Sequence, residues 1–229
     1  MSVDPLALGD DALIAAQRLA MWSARAPELE EDVALTNIAL DQLGAARLLL
    51  SYAGEADGRD EDQLSYLRDD REFRNVLLVE LAERDFAVLI AKLLFLSAFQ
   101  RLNYAALANG PDARLAGIAA KTVKESAYHL DHSAQWTVRL GDGTPLSHQR
   151  MQAAVDEVWP YTHELFEDAP SVRDEWLSTV DGVLTGATLT RPADGWRPTG
   201  GRSGRHTEAL SYLLAEMQVL HRAHPGARW

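Results

Sequence analysis

The stretch FAVLIAKLLFLSAFQRLNYAALA, residues 86–108, decides the fold of this chain. Its middle, residues 88–99, is apolar on nearly every side of a helix, and such a helix is buried on most sides. Asp85 before it is a helix-capping residue type, and the Asn-Gly-Pro run at 109–111 ends it. We predict a long core helix, because the apolar run carries Lys92 and is too short to span a bilayer.

Similar start and stop signals place more helices on both sides of this one. We predict them at 12–24 after Asp10 and Asp11, at 27–53 with Pro27 in the first turn, at 113–140, and at 207–222. A further helix over 147–167 contains Pro160, which should kink it or end it early. Alternating runs of β-branched residues are nearly absent. We predict an all-α, ferritin-like four-helix bundle with additional C-terminal helices, as one domain over 1–229 with its core at about 10–140 and the C-terminal helices at about 147–224.

Composition excludes several classes of function. The chain has 229 residues and a formal charge of −12, and an acidic surface repels the phosphates of nucleic acid. It contains no cysteine, so thiolate nucleophiles, Fe–S clusters and cysteine-based zinc sites are excluded. The first residues, MSVDPLALGDD, lack the features of a signal peptide. We expect a cytoplasmic protein without nucleic-acid or membrane partners.

Carboxylates are missing where a ferritin-like di-metal site needs them. Such a site takes one Glu from each of two helices and a Glu-x-x-His from each of the other two. Residues 12–27 and 86–111 contain neither Asp nor Glu. The pattern therefore predicts the scaffold of a metal oxygenase without its metal site, and a structural role for the chain.

One polar cluster could still carry chemistry. Asp41 lies in the apolar second helix with a glycine one turn on, and Glu125 is followed by Tyr128 and His129 at i+3 and i+4. A functional interpretation is a one-metal remnant of Asp41, Glu125 and His129. The structural interpretation is a buried polar cluster in which Lys92 and Tyr128 supply partners. We favour the second, because the other two helices offer no oxygen ligands.

A second candidate is a basic loop in the Gly- and Pro-rich segment 190–205. It contains Arg191, Arg197, Arg202 and Arg205 against a single Asp194. Such a loop suits an acidic partner surface or the phosphates of a nucleotide-like substrate such as coenzyme A. The alternative is a solvated loop without a ligand.

Four long stretches carry a family resemblance. They are APELEEDVALTNIALDQLGAARLLLSYA (26–53), RDDREFRNVLLVE (68–80), KTVKESAYHLDHSAQWTVRLGDGT (121–144) and HTEALSYLLAEMQVLHRAHPGARW (206–229). In these stretches the chain resembles the C subunits of bacterial ring-1,2-phenylacetyl-CoA epoxidases. The resemblance extends over nearly the whole chain and is weaker at about 169–198.

The resemblance implies a ferritin-like fold and a non-catalytic role. It implies no catalytic, cofactor-binding or metal-binding residue in this chain. In that family the A subunit holds the di-iron centre and binds phenylacetyl-CoA, and the C subunit forms a tight complex with it. A reductase with flavin and an Fe–S cluster supplies electrons from NADPH, and smaller B and D subunits complete the system.

Two other functions remain open at this point. One is an independent di-iron oxidase or oxygenase, and the other is a ferritin-like storage or stress protein. Iron content and the size of the assembly distinguish them from a structural subunit. For a permanent complex we expect an interface above roughly 2,000 Å², with Trp22 and Leu29 on the first two helices among its contacts.

Overall fold

The structure is a computed structural model that describes residues 4–227, and the regular elements in that range are helices. Its α-helices are α1 Pro5–Ala20, α2 Leu29–Gly54, α3 Glu61–Tyr66, α4 Leu77–Glu80, α5 Phe86–Leu107, α6 Ala113–Gly141, α7 Pro145–Val158, α8 Arg173–Gly186 and α9 Glu208–Ala223. Short 3₁₀ segments lie at Asp70–Glu72, Trp159–Phe166, Pro170–Val172 and Gly201–Ser203.

Helix α1 begins earlier than predicted. The Asp4 side chain accepts a hydrogen bond from the Leu6 N–H at 2.9 Å, and Pro5 occupies the first turn. An Asp-Pro pair is a strong start signal, because the carboxylate satisfies a free N–H and proline needs no partner there. Asp10 and Asp11 therefore lie inside the helix rather than before it, and the prediction of a start at residue 12 is wrong.

The start of α5 and the end of α7 agree with the sequence signals. The Asp85 side chain accepts a hydrogen bond from the Val88 N–H at 3.1 Å at the start of α5. Helix α7 ends at Val158, and the chain continues through Pro160 as a 3₁₀ segment. Proline has no N–H to donate, so the early end of α7 confirms the expected effect of this residue.

The residues form two compact units by their contacts. The central unit is Glu83–Pro198, with α5 to α8. The terminal unit consists of the described residues up to Ala82 and from Thr199 on, with α1 to α4 and α9. The central unit contains a hairpin of the long helices α5 and α6, and the terminal unit contains a hairpin of α1 and α2. The fold is all-α and of the ferritin-like class, as predicted, whereas the single domain over 1–229 stays a prediction.

Helix α5 lies in the core of the central unit. An aromatic cluster packs beside it, in which the Phe95 ring lies 5.7 Å from both the Trp159 and Trp176 rings. The buried Trp176 indole N–H donates to the Phe95 carbonyl at 3.0 Å, which satisfies both groups. By length and composition α2 and α5 could each cross a membrane, but 89% of the α5 window is buried within the protein. Burial of this kind is typical of a core helix.

Helix α2 keeps one side free in the terminal unit. Its inner side packs along α1, where a Cβ at Gly9 would lie 2.7 Å from Leu50 Cδ2. On the other side Leu29, Val33 and Leu40 are 76%, 53% and 59% exposed. These three positions fall within about 40° around the helix axis, given 3.6 residues per turn. We call them the outer stripe of α2.

Candidate functional site

Asp10 is completely buried in α1 and is bound by an arginine. Both Nη atoms of Arg68 donate to its two carboxylate oxygens, Nη1 at 3.0 Å. The Arg74 N–H donates to the same carboxylate at 2.8 Å. Burial raises the pKa of the Asp10 carboxyl, while the hydrogen bonds and charge of Arg68 oppose that rise.

Asp11, the next residue, is bound by a second arginine that follows much later in the chain. Arg202 donates to it from Nη1 at 2.9 Å and from Nη2 at 2.7 Å, and the Val76 N–H donates at 2.8 Å. Arg202 Nη1 also reaches the Arg74 carbonyl at 2.7 Å. Burial raises the pKa of the Asp11 carboxyl, and the charge of Arg202 opposes the rise. Asp11 thus fixes the segment around Arg202 onto α1.

Glycines let this segment approach the 71–77 region closely. A Cβ on Gly201 would lie 2.1 Å from the Asn75 carbonyl oxygen, so no larger residue fits without a shift of the backbone. Gly204 has φ +75°, a left-handed conformation that favours glycine. The run GGRSGR at 200–205, which loosely resembles a phosphate-binding loop, is therefore explained by packing within the terminal unit.

Glu80 and His206 form a third buried pair in the terminal unit. His206 Nδ1 lies 2.7 Å from Glu80 Oε2, and Nε2 lies 3.1 Å from the Phe73 carbonyl oxygen. Glu80 also accepts from Asn75 Nδ2 at 2.8 Å and from the Thr207 N–H at 2.6 Å. A carboxylate and a carbonyl only accept, so a doubly protonated imidazolium, which donates from both ring nitrogens, would satisfy both contacts.

We predict that His206→Gln destabilises the protein by about 1.5–3 kcal/mol, the range for hydrogen bonds to charged groups. A glutamine side chain can donate to one of the two acceptors, but it has no positive charge to pair with the Glu80 carboxylate. Urea denaturation measures the change, and His224→Gln, at an exposed position of the same unit, is the control. Ring ¹⁵N spectra at pH 7 should show protons on both His206 nitrogens. A single neutral tautomer in the native protein would contradict the assignment.

These contacts correct one sequence argument. The prediction that the first helix carries no carboxylate depended on a start at residue 12. With α1 at Pro5–Ala20, Asp10 and Asp11 are in its body and buried. Sequence reasoning missed Arg68, Glu80 and His206 and gave Arg202 a different role, because the partners of these residues lie 58, 126 and 191 positions away. Helix α5 does lack Asp and Glu, as the sequence shows.

The predicted polar cluster is divided between the two units. Asp41, half-buried on α2, belongs to the terminal unit, whereas Lys92, Glu125, Tyr128 and His129 belong to the central unit. His129 is buried, and Tyr128 is 77% exposed. The expectation that Tyr128 is a buried partner is therefore wrong. The rest of the cluster stays a prediction.

Two ion pairs in the central unit involve members of that cluster. Lys92 Nζ on α5 donates to Glu83 Oε1, and both side chains are buried. Glu125 Oε1 accepts from Lys121 Nζ at 2.6 Å, one turn away on α6, and its buried Oε2 has no hydrogen-bond partner. Sequence reasoning missed Glu83, because it lies before the α5 cap and outside the predicted helices.

The predicted basic loop is not one free patch. Arg191 and Arg197 lie in the central unit, where they pair with Asp181 at 3.1 Å and with Asp194 at 3.2 Å. Arg202 and Arg205 lie in the terminal unit. Arg202 is largely buried against Asp11, so the expectation that it faces a partner or coenzyme A is wrong. Arg205 is exposed.

The side chains do not fit a di-iron centre. Over residues 4–227, Asp, Glu and His nowhere form a group of three or more that could hold a metal ion. The two α1 carboxylates already accept two or more hydrogen bonds each from arginine and backbone donors. Helix α5 contributes a lysine to the interior instead of a carboxylate, and an ammonium group cannot ligate iron.

The fold and these pairs define an all-α protein of the ferritin-like class whose internal carboxylates are bound by basic side chains. The chain belongs to the phenylacetic acid catabolic protein family, whose model matches residues 5–229. It is 44% identical over 240 residues to the C subunit of the 1,2-phenylacetyl-CoA epoxidase of Escherichia coli (strain K12). The match covers 98% of this chain and 97% of that protein. The predicted resemblance is confirmed.

Proposed function

We propose that this chain is a non-catalytic structural subunit of a phenylacetyl-CoA 1,2-epoxidase in aerobic phenylacetate catabolism. The observation that carries the proposal is the 44% identity to the C subunit of such an epoxidase over nearly the full length of both proteins. Its proposed role is to bind and support the catalytic A subunit in the cytoplasm. Di-iron chemistry then belongs to the A subunit, and NADPH, flavin and Fe–S chemistry to the reductase.

The chemistry of the buried groups supports the non-catalytic part of this proposal. In a di-iron bundle the interior carboxylates neutralise the metal charge. Here the charges of Asp10, Asp11 and Glu83 are balanced by Arg68, Arg202 and Lys92. A metal ion at any of these three carboxylates would have to displace a buried cation and its hydrogen bonds.

The outer stripe of α2 supports the proposal that this chain binds a partner subunit. Leu29, Val33 and Leu40 lie on an exposed face of this helix in an acidic chain. Burial of such apolar surface against a partner is favourable. Only 44% of the apolar window of α2 is buried, against 89% in α5. A helix from a second ferritin-like subunit would cover such a stripe. Trp22, the other predicted contact, is buried within the chain and is not available.

Co-expression with a catalytic A subunit tests the proposal. We expect a stable hetero-oligomer in size-exclusion chromatography with iron in the A subunit, and only trace iron in this protein alone. Phenylacetyl-CoA epoxidation should require both subunits and the reductase. Two irons per isolated chain with oxidase activity would establish an independent di-iron enzyme. A large iron-loaded homo-oligomer would establish a storage protein, and either result would overturn the proposal.

A further inference from the structure

Asp194 is the centre of a cluster in the central unit that the buried pairs above do not involve. Its Oδ2 lies 3.2 Å from Arg197 Nη2 and 3.4 Å from Arg173 Nη2, and its Oδ1 accepts from Trp159 Nε1 at 3.2 Å. His163 Nε2 is 3.5 Å from Oδ1 and has no hydrogen-bond partner in a side chain that is 10% exposed. Two guanidinium groups and an imidazole thus converge on one carboxylate.

The cluster carries net positive charge on an acidic chain. The Arg191 guanidinium lies 5.7 Å over the Trp159 ring and pairs with Asp181. Burial lowers the pKa of the His163 imidazole, Asp194 opposes that effect, and the charges of Arg197 and Arg173 add to it. With His163 neutral at pH 7, three arginines face two aspartates, so one positive charge remains.

The arginines keep N–H donors beyond those used in these ion pairs, on side chains that are partly exposed. Arg173 and Arg197 each bind Asp194 through one Nη atom, and Arg191 binds Asp181 through Nε. Their side chains are 36%, 53% and 41% exposed. A guanidinium has five N–H donors in a planar fork, a geometry that matches the oxygens of a phosphate group. A phosphate can therefore bind these donors without unfolding the loop.

An exposed aromatic side chain lies next to the arginines. Trp196 precedes Arg197 and is 69% exposed. Its ring contacts the Tyr161 ring edge to face, with 5.8 Å between centroids. That contact supports the indole, which is still largely exposed, and an exposed aromatic ring can stack with a purine base. Acidic peptide segments would use the arginines but not this ring.

We propose that Arg173, Arg191, Arg197 and Trp196 bind the phosphorylated end of an adenine nucleotide. The phosphates contact the arginines, and the adenine stacks on Trp196. The epoxidase substrate is a coenzyme A thioester and the reductase uses NADPH, so both candidate ligands rest on the proposed function. Both contain an adenosine with a ribose phosphate and a diphosphate. We name this the nucleotide cluster.

Calorimetry and Trp fluorescence can measure binding to the full-length chain, both alone and in complex with the A subunit. We expect saturable binding of coenzyme A or NADP⁺, weaker binding of dephospho-coenzyme A, and none of pantetheine, which lacks the nucleotide. A comparison of the affinities for coenzyme A and NADP⁺ shows which of the two ligands is preferred. Inorganic phosphate should compete only at high concentration.

Variants make the test specific. Arg197→Ala and Arg173→Ala should each weaken binding about tenfold or more, since each removes charge-assisted hydrogen bonds. Trp196→Ala should weaken it severalfold and abolish the fluorescence change. Asp194→Asn should strengthen binding, because it removes the competing anion and keeps an acceptor for Trp159. The controls Arg205→Ala and Tyr212→Ala change exposed residues of the terminal unit and should have no effect.

The outcomes separate this inference from the proposed function. Normal assembly with the A subunit but no saturable nucleotide binding up to millimolar concentrations would refute the nucleotide cluster alone. Nucleotide binding without assembly would refute the structural-subunit role alone. If Arg197→Ala impairs assembly and leaves nucleotide affinity unchanged, the arginines form a protein contact and the inference is overturned.

Discussion

Replacement of Arg68 by alanine is expected to lower the free energy of unfolding by about 3–5 kcal/mol, the cost of breaking a buried ion pair on one side. Asp10 would remain in α1 with no solvent exposure and would lose two of its three donors. The variant would also lose the guanidinium contact with the Phe73 ring, 4.2 Å from its centroid. In a protein of ordinary stability such a loss approaches half of the total.

Chemical denaturation of the variant and the parent measures this effect. Arg71→Ala is the matched control, because Arg71 is an exposed arginine in the same segment and should change stability by less than about 0.5 kcal/mol. The double variant Asp10→Ala with Arg68→Ala should cost less than the sum of the single changes, since no charge is left unpaired. A cost below about 1 kcal/mol for Arg68→Ala would show that water reaches Asp10, and would refute the buried pair.

Local patterns predicted the helices well, because their causes lie close together in sequence. The apolar run at 88–99, the Asp85 cap and Pro160 act within one or two turns, and α5 and α7 have the expected boundaries at those points. The α1 start was missed because Asp4 and Asp11, seven residues apart, are both acceptable caps. Asp4 is followed by proline, and this local advantage decided between them.

The pairing of the polar residues could not be read from the sequence in the same way. An acidic residue inside a helix predicts a partner but not which one, and Asp11 meets Arg202 191 positions away. The Gly-Gly-Arg run at 200–202 contained a usable signal, because a close backbone approach requires small residues. A prediction from charge alone therefore groups Arg202 with the exposed Arg191, Arg197 and Arg205. Arg202 differs from them because it is largely buried in an ion pair with Asp11.

The second large effect should appear in assembly rather than stability. We expect the double variant Val33→Glu with Leu40→Glu to weaken binding to the A subunit by at least about 100-fold, because two apolar contacts buried in the complex would be replaced by desolvated charges. Both residues are exposed in the isolated chain, so the melting temperature should change little. Glutamate is also favourable for helix formation, and α2 should stay intact.

The control for this prediction is Leu67→Glu, because Leu67 is 53% exposed in the same unit but lies outside α2. Size-exclusion chromatography and calorimetric titration with the A subunit give the affinities, and circular dichroism checks the fold. A selective loss of binding in the α2 variant would locate the partner on the outer stripe. Equal binding by the parent, the control and the α2 variant would exclude this face, and the exposed residues Tyr212 and Val219 of α9 would be the next surface to test.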